Sequence, residues 1–160
     1  MDDKPDAIVM SDYKKGFLDE YIIGLITHWA REYNTPVFTD TKRIIGAWAK
    51  NAIVKINDQE FANHLNAGRG PAAWCDKLIV THGAGGMDLY LADKLEYHCP
   101  ATPIEVRDGA GCGDTVLAAL VVRYLENGGD LRDAMDWAGK AGAIAVSRRG
   151  VVAVKREEVK

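Results

Sequence analysis

Short apolar runs alternate with longer amphipathic stretches along this chain. Ala7-Ile8-Val9-Met10 reads as a buried strand, closed by the polar run Ser11 to Gly16. From Phe17 to about Tyr33, the apolar positions Leu18, Ile22, Leu25, Ile26 and Trp29 recur at helical spacing. Pro36 to Thr39 is a second strand ending at Asp40, and Ala52 to Ile56 a third. Asn57 then caps a short helix through about Leu65. Leu78 to Thr81 is a fourth strand, stopped by Gly83-Ala84-Gly85-Gly86. Met87 to Ala92 and Leu95 to Cys99 predict a hairpin that turns near Ala92-Asp93-Lys94.

Two helices follow a loop around Asp108 to Gly113. In the first, Val116, Leu117, Leu120, Val121, Tyr124 and Leu125 form an apolar stripe that Asn127-Gly128-Gly129 ends. Asp130 and Asp133 open the second, where carboxylates favour the positive end of the helix dipole. Strands that are apolar throughout and alternate with helices predict a three-layer α/β fold, a mostly parallel sheet with helices on both faces. No repeat or low-complexity linker interrupts the pattern, so one domain over residues 1–160 is expected.

Composition narrows the function classes. A net charge of −3 argues against a sequence-blind nucleic-acid binder, which needs excess Lys and Arg to neutralise phosphates. No apolar run is long enough to span a bilayer, and Met1-Asp2-Asp3-Lys4 does not read as a signal peptide. The three cysteines, Cys75, Cys99 and Cys112, are widely spaced and form no Cys-x-x-Cys pair. That argues against a disulfide framework and a zinc site, and a reducing cytoplasm is the expected setting.

In parallel sheets, ligands sit beyond the C-terminal ends of the strands. Asp12 to Gly16, Asp40-Thr41-Lys42, Asn57 to Glu60 and Thr81 to Gly86 all fall there. The most informative segment is Asp108-Gly109-Ala110-Gly111-Cys112-Gly113-Asp114-Thr115. Its glycines let backbone approach an anion, and the helix that follows points free N–H groups the same way. An aspartate there can accept a proton from an attacking hydroxyl. A tight glycine turn, with Asp114 simply starting the helix, fits the spacing equally well. Likewise, Asn57 with Glu60 three residues later is also a capping box. The small residues Ala138, Gly139, Ala141 and Gly142 permit either a flat ligand or close helix packing. A dinucleotide fingerprint would need Gly or Ala in place of Asp114, and Gly-Lys-Ser/Thr of a P-loop is absent.

Asp-x-x-Gly-x-Gly-Asp before an apolar helix resembles the signature of ribokinase-like (phosphofructokinase-B type) carbohydrate kinases. The resemblance implies a ribokinase-like fold with a Rossmann-like core, and phosphoryl transfer from ATP to a sugar or sugar phosphate. It makes Asp114 the catalytic base and the amides of Gly111, Cys112 and Gly113 the anion hole, with Cys112 where the family usually has alanine. Asn57 and Glu60 resemble the family's Asn-x-x-Glu pair, which helps hold Mg2+ and the ATP phosphates, partly through water. Ile56 replaces the proline that often precedes that asparagine. Thr81, Gly83 and Gly86 resemble the Thr-x-Gly-x-x-Gly loop that lies against ATP. Ala138, Gly139 and Gly142 lie on the helix that borders adenine in the family, with Gly139 where asparagine is frequent.

Ser11-Asp12-Tyr13-Lys14-Lys15-Gly16 and Asp40-Thr41-Lys42 are similar to segments of the heptose-7-phosphate kinase domains of ADP-heptose synthesis. That likeness puts Asp12, Lys15 and Lys42 (with Arg43 beside it) among candidate substrate or phosphate contacts. The match begins in the middle of the family fold. It implies that the N-terminal half, with its lid and most sugar contacts, comes from another polypeptide or from a homo-oligomer. On that expectation the isolated chain lacks most of the acceptor site and can be inactive. A non-catalytic nucleotide-binding or assembly subunit is the alternative that the same motifs allow.

Overall fold

Six strands follow one another in chain order across one sheet in the computed structural model, which describes residues 4–68, 70, 73–92 and 94–159. They are β1 (Ile8–Asp12), β2 (Val37–Thr41), β3 (Ala52–Asn57), β4 (Lys77–Thr81), β5 (Met87–Leu91) and β6 (Lys94–Cys99). The sheet is mostly parallel, as expected: β1 to β4 pair in parallel, with Ser11 opposite Asp40, Asp40 opposite Lys55, and Asn57 opposite Thr81. Asp93 of the expected hairpin turn lies outside the described residues, as do Met1 to Asp3.

The strands divide their apolar residues between both faces, so near-continuous hydrophobic runs were required. Met10, Val37, Val54, Ile56, Leu78 and Val80 share a buried cluster with Ile23 and Ala30. Phe38, Ile53 and Ile79, which alternate with them and point the other way, are also buried.

The chain forms two units. The first comprises residues 1–81 and 88–96. Its α1 (Glu20–Glu32) starts later than the expected Phe17 because Asp19 caps it, its carboxylate accepting from the Ile22 amide at 2.8 Å. Ile23 and Ala30 face inward, while Leu25 of the expected stripe is exposed. A 3-10 turn at Ala47–Asn51, which the apolar pattern did not indicate, precedes β3. Then α2 (Asp58–Asn66) carries His64 into the core beside Trp74 and Phe61.

The second unit comprises residues 82–87 and 97–160. Its body is the helix pair α3 (Cys112–Glu126) and α4 (Leu131–Val146). Asp130 caps α4 by accepting from the Arg132 and Asp133 amides. Asp133 then forms a two-pronged pair with Arg123 of α3, at 2.6 and 3.0 Å. Hydrogen bonds from Arg123 and Asn127 hold the Asp133 carboxyl below its ordinary range. No helix among the described residues is long and apolar enough to cross a membrane.

Candidate functional site

In the first unit the strand ends gather polar residues as the parallel topology dictates. Asn57 closes β3 and caps α2: its side chain accepts from the Glu60 amide, and Glu60 Oε2 accepts from the Asn57 amide, both at 2.9 Å. The capping box therefore forms in full, and both residues lie close to the surface. Opposite Asn57, the Thr81 hydroxyl donates to the Ile56 carbonyl at 3.3 Å, tying β4 to β3 where the ladder ends. Asp40 and Lys55, neighbours in register, form an ion pair with the lysine buried.

Asp12 ends β1 with its carboxylate nearly enclosed. It accepts from the Lys14 amide at 2.9 Å, from the Thr41 hydroxyl at 3.4 Å, and from Arg43 Nε. Lys15 and Lys42 are exposed, and the Lys42 ammonium sits 4.7 Å over the Tyr13 ring.

In the second unit, Gly83 and Gly86 both have positive φ, +55° and +93°. Gly83 faces open space, whereas a Cβ on Gly86 would lie 2.2 Å from the Cys99 carbonyl oxygen. Gly86 is thus demanded by backbone approach whatever else the loop binds. The His82 amide donates to the Gly86 carbonyl at 2.8 Å and closes the loop.

Gly111 caps α3 in the left-handed conformation, φ 73°, with the Val151 side chain packed against its Cα. That turn presents the first helical turn, whose amides (Cys112, Gly113, Asp114) a helix cannot satisfy along its own ladder. The Cys112 amide reaches back to the Gly109 carbonyl at a long 3.3 Å. The Cys112 thiol points away, at 3.8 Å from the Gly142 carbonyl. Asp114 is exposed in that turn.

Asp108, to which the sequence reading gave no role, organises this loop. Its two oxygens accept from the Ala110 and Gly150 amides, each at 2.9 Å, which holds its carboxyl below the ordinary range. An aspartate two residues before a turn amide is the signal that would have revealed it.

The small-residue face of α4 is used for packing. Ala138 and Gly142 are buried, and a Cβ on Gly142 would meet Val116 at 2.8 Å. Gly139 is half-buried beside Cys99 Sγ and Met87 Cε. Among the described residues, no group of three or more His, Cys, Asp or Glu could hold a metal ion by itself.

Residues 37–157 match the family described as pfkB family carbohydrate kinase. The chain is 33% identical to the bifunctional protein HldE of Bradyrhizobium diazoefficiens, over 98% of this chain and 34% of that protein. It is 34% identical to HldE of Azorhizobium caulinodans, over 98% of this chain and 35% of that protein. The chain therefore spans about a third of the length of these curated relatives.

Among solved structures it is similar to phosphofructokinase-2 of Escherichia coli, with TM-score 0.75 and 16% identity over 94% of this chain and 54% of that one. Ribokinase of Arabidopsis thaliana, solved with ribose and ATP, gives TM-score 0.73 and 18% identity over 90% and 51%. These likenesses establish a ribokinase-like fold. With the matched family covering most of its length, this chain belongs to the pfkB family of carbohydrate kinases.

Proposed function

We propose that this chain is the ATP-binding part of a kinase that phosphorylates a sugar phosphate, of the heptose 7-phosphate type. The observation that carries the reading is the left-handed turn at Gly111, which presents the first-turn amides of α3 together with an exposed Asp114. Such a turn suits charge developing on a moving phosphoryl group, and a carboxylate beside it suits a hydroxyl proton. The similarity to HldE over nearly the whole chain supports the sugar-phosphate class of acceptor.

In the proposed reaction the acceptor hydroxyl oxygen bonds to the γ-phosphorus of ATP as the β–γ bridging bond breaks. Asp114 takes the hydroxyl proton, ADP leaves with the bridging oxygen, and the amides of Gly111 to Gly113 face the transferred oxygens. Thr81, Gly83 and Gly86 are assigned to the nucleotide, with Ala138, Gly139 and Gly142 supporting its base side.

Mg2+ suits the Asn57–Glu60 pair as a water-mediated ligand set. Both residues offer oxygen, both lie close to the surface, and their mutual capping bonds leave lone pairs for waters. When bound, the ion would neutralise charge on the phosphates. Most acceptor contacts are assigned to parts of the kinase fold outside this stretch, which spans about a third of the length of its relatives.

Calorimetry with ATP, with and without Mg2+, tests the nucleotide half of this reading, and Mg2+-dependent binding is expected. No binding at millimolar ATP would remove it. The second half is tested by ADP release with heptose 7-phosphate, measured with an N-terminal kinase half supplied in trans. Nucleotide binding without any transfer in that mixture would favour a non-catalytic assembly subunit.

A further inference from the structure

We infer that the ends of β1 and β2 form a recognition corner for a phosphomonoester, in which Arg43 is the central donor and Asp12 holds it in place. The inference rests on the kinase reading only in choosing a sugar phosphate as the ligand.

The corner is built from below. The Asp12 side chain is 4% exposed and collects the Lys14 amide, the Thr41 hydroxyl and Arg43 Nε. The Arg43 amide in turn donates to Thr41 Oγ1 at 3.1 Å, so both ends of the arginine are fixed to the same three-residue frame. Only Nε is engaged by Asp12; the two terminal nitrogens make no other hydrogen bond or ion pair among the described residues. A guanidinium fixed through Nε still offers two terminal nitrogens on its other side, a fork that matches two phosphate oxygens.

The surroundings are cationic. Lys42, next to Arg43 in the chain, and Lys14 and Lys15, just past the end of the neighbouring strand β1, are exposed, and none of them is in an ion pair among the described residues. The nearest acid along β2, Asp40, is already paired with Lys55. Asp12 balances one of four positive charges, so the corner keeps a surplus that a dianion would neutralise. Lys42 is steered by the Tyr13 ring.

Backbone strain marks the same place. Lys14 has φ 56°, a left-handed conformation unusual for a residue with a side chain, and Gly16 follows at φ 96°. The Lys14 amide donates to Asp12 at this bend, which ties the start of the lysine segment to the end of β1. Asp12 is therefore a positioning residue here and not a ligand contact.

Titration of the full chain with inorganic phosphate, sedoheptulose 7-phosphate, unphosphorylated sedoheptulose and Mg-ATP tests the corner, read by calorimetry and by amide shifts. Phosphate and the sugar phosphate should bind and the free sugar should not. Arg43→Gln should weaken both at least tenfold while ATP affinity stays within about twofold. Since that variant leaves Asp12 unpaired, Lys42→Gln provides a second reading with the Asp12–Arg43 frame intact, and a few-fold loss is expected. Unchanged phosphate binding in both variants overturns the inference. So does a loss of ATP affinity matching the loss of sugar phosphate, which would assign the corner to nucleotide phosphates. Absence of ATP binding in every variant would remove the kinase reading while the phosphate arms still judge the corner.

Discussion

His64 Nε2 accepts a hydrogen bond from the Ile45 amide at 2.9 Å, joining the last turn of α2 to the segment that follows β2. Its Nδ1 lies 2.7 Å from the Glu60 carbonyl, which can only accept, so Nδ1 carries the proton and Nε2 is bare. The imidazole is 2% exposed and leans on Trp74 with ring centroids 4.5 Å apart. Through Ile45, this histidine fixes the chain two residues beyond Arg43.

His64→Phe keeps most of the volume and removes the acceptor. The buried Ile45 amide is then left unsatisfied, at a cost of about 1–3 kcal/mol. His64→Ala adds a cavity and should cost more. Urea unfolding midpoints check both, and a His64→Phe variant as stable as the parent would remove the anchoring role.

Gly83 and Gly86 separate two reasons for glycine in one loop. Both have positive φ, yet only Gly86 has backbone within 3 Å of a Cβ position, at the Cys99 carbonyl and the Ala101 amide. Gly83→Ala should cost about 1–2 kcal/mol for the left-handed conformation alone. Gly86→Ala adds a collision with backbone that cannot rotate aside, so a substantially larger loss is expected. Thermal melts of the two variants give the comparison, and equal losses would show that the approach at Gly86 is easily relieved.

Asp108 links stability to pH. Its carboxyl is held low chiefly by the Ala110 amide and then by the Gly150 amide. A carboxyl with a lowered folded value contributes stability above its unfolded value, near pH ~4. That contribution fades as pH falls through the lower folded value. Asp108→Asn retains one acceptor oxygen for two amides, so it should be less stable than the parent at pH 7, with the gap closing in acid. Unfolding midpoints across that range test the sign; a gap that widens in acid contradicts the assignment.

Much of the fold was legible because the four parallel strands must be apolar on both faces, which leaves unmistakable runs at Phe38, Ile53 and Leu78 and their neighbours. Boundaries were less so. The ladder carries β1 through polar Ser11 and Asp12, since Asp40 and Thr41 lie beside them to receive their bonds. Asp19 moved the start of α1 past Phe17, leaving that ring 83% exposed. At the candidate site, motif order located the loops but not their internal wiring. Asp12 and Asp108 turned out to spend their oxygens on backbone amides and neighbours, which spacing cannot distinguish from a ligand contact. The glycines of α4 fit the same pattern: at Gly142 the helix packs against Val116, a use that composition shares with a ligand floor.

Asp114→Asn tests the proposed base. In an active complex with an N-terminal half supplied, turnover should fall by about a hundred- to ten-thousand-fold, the usual worth of general-base catalysis. Nucleotide affinity should stay within a few-fold. The measurement is kcat alongside ATP affinity; full turnover in the variant would exclude Asp114 from proton transfer.

The two units are interleaved along the chain: residues 82–87 belong with 97–160, and residues 88–96 belong with the first 81. No single scission can therefore separate the two with both intact. A cut after Thr81 keeps the second unit whole but strips the first of most of its hairpin, and a cut after Glu96 leaves Met87 without a continuous path to Gly139, whose Cα it packs against. For a ribosome delivering the chain from its N-terminus, the glycine loop emerges early and must wait for α4, the last long helix, before its own unit can close. Maturation of the glycine loop is thereby coupled to completion of synthesis, and a polypeptide released before α4 should carry an unfinished Gly83–Gly86 turn.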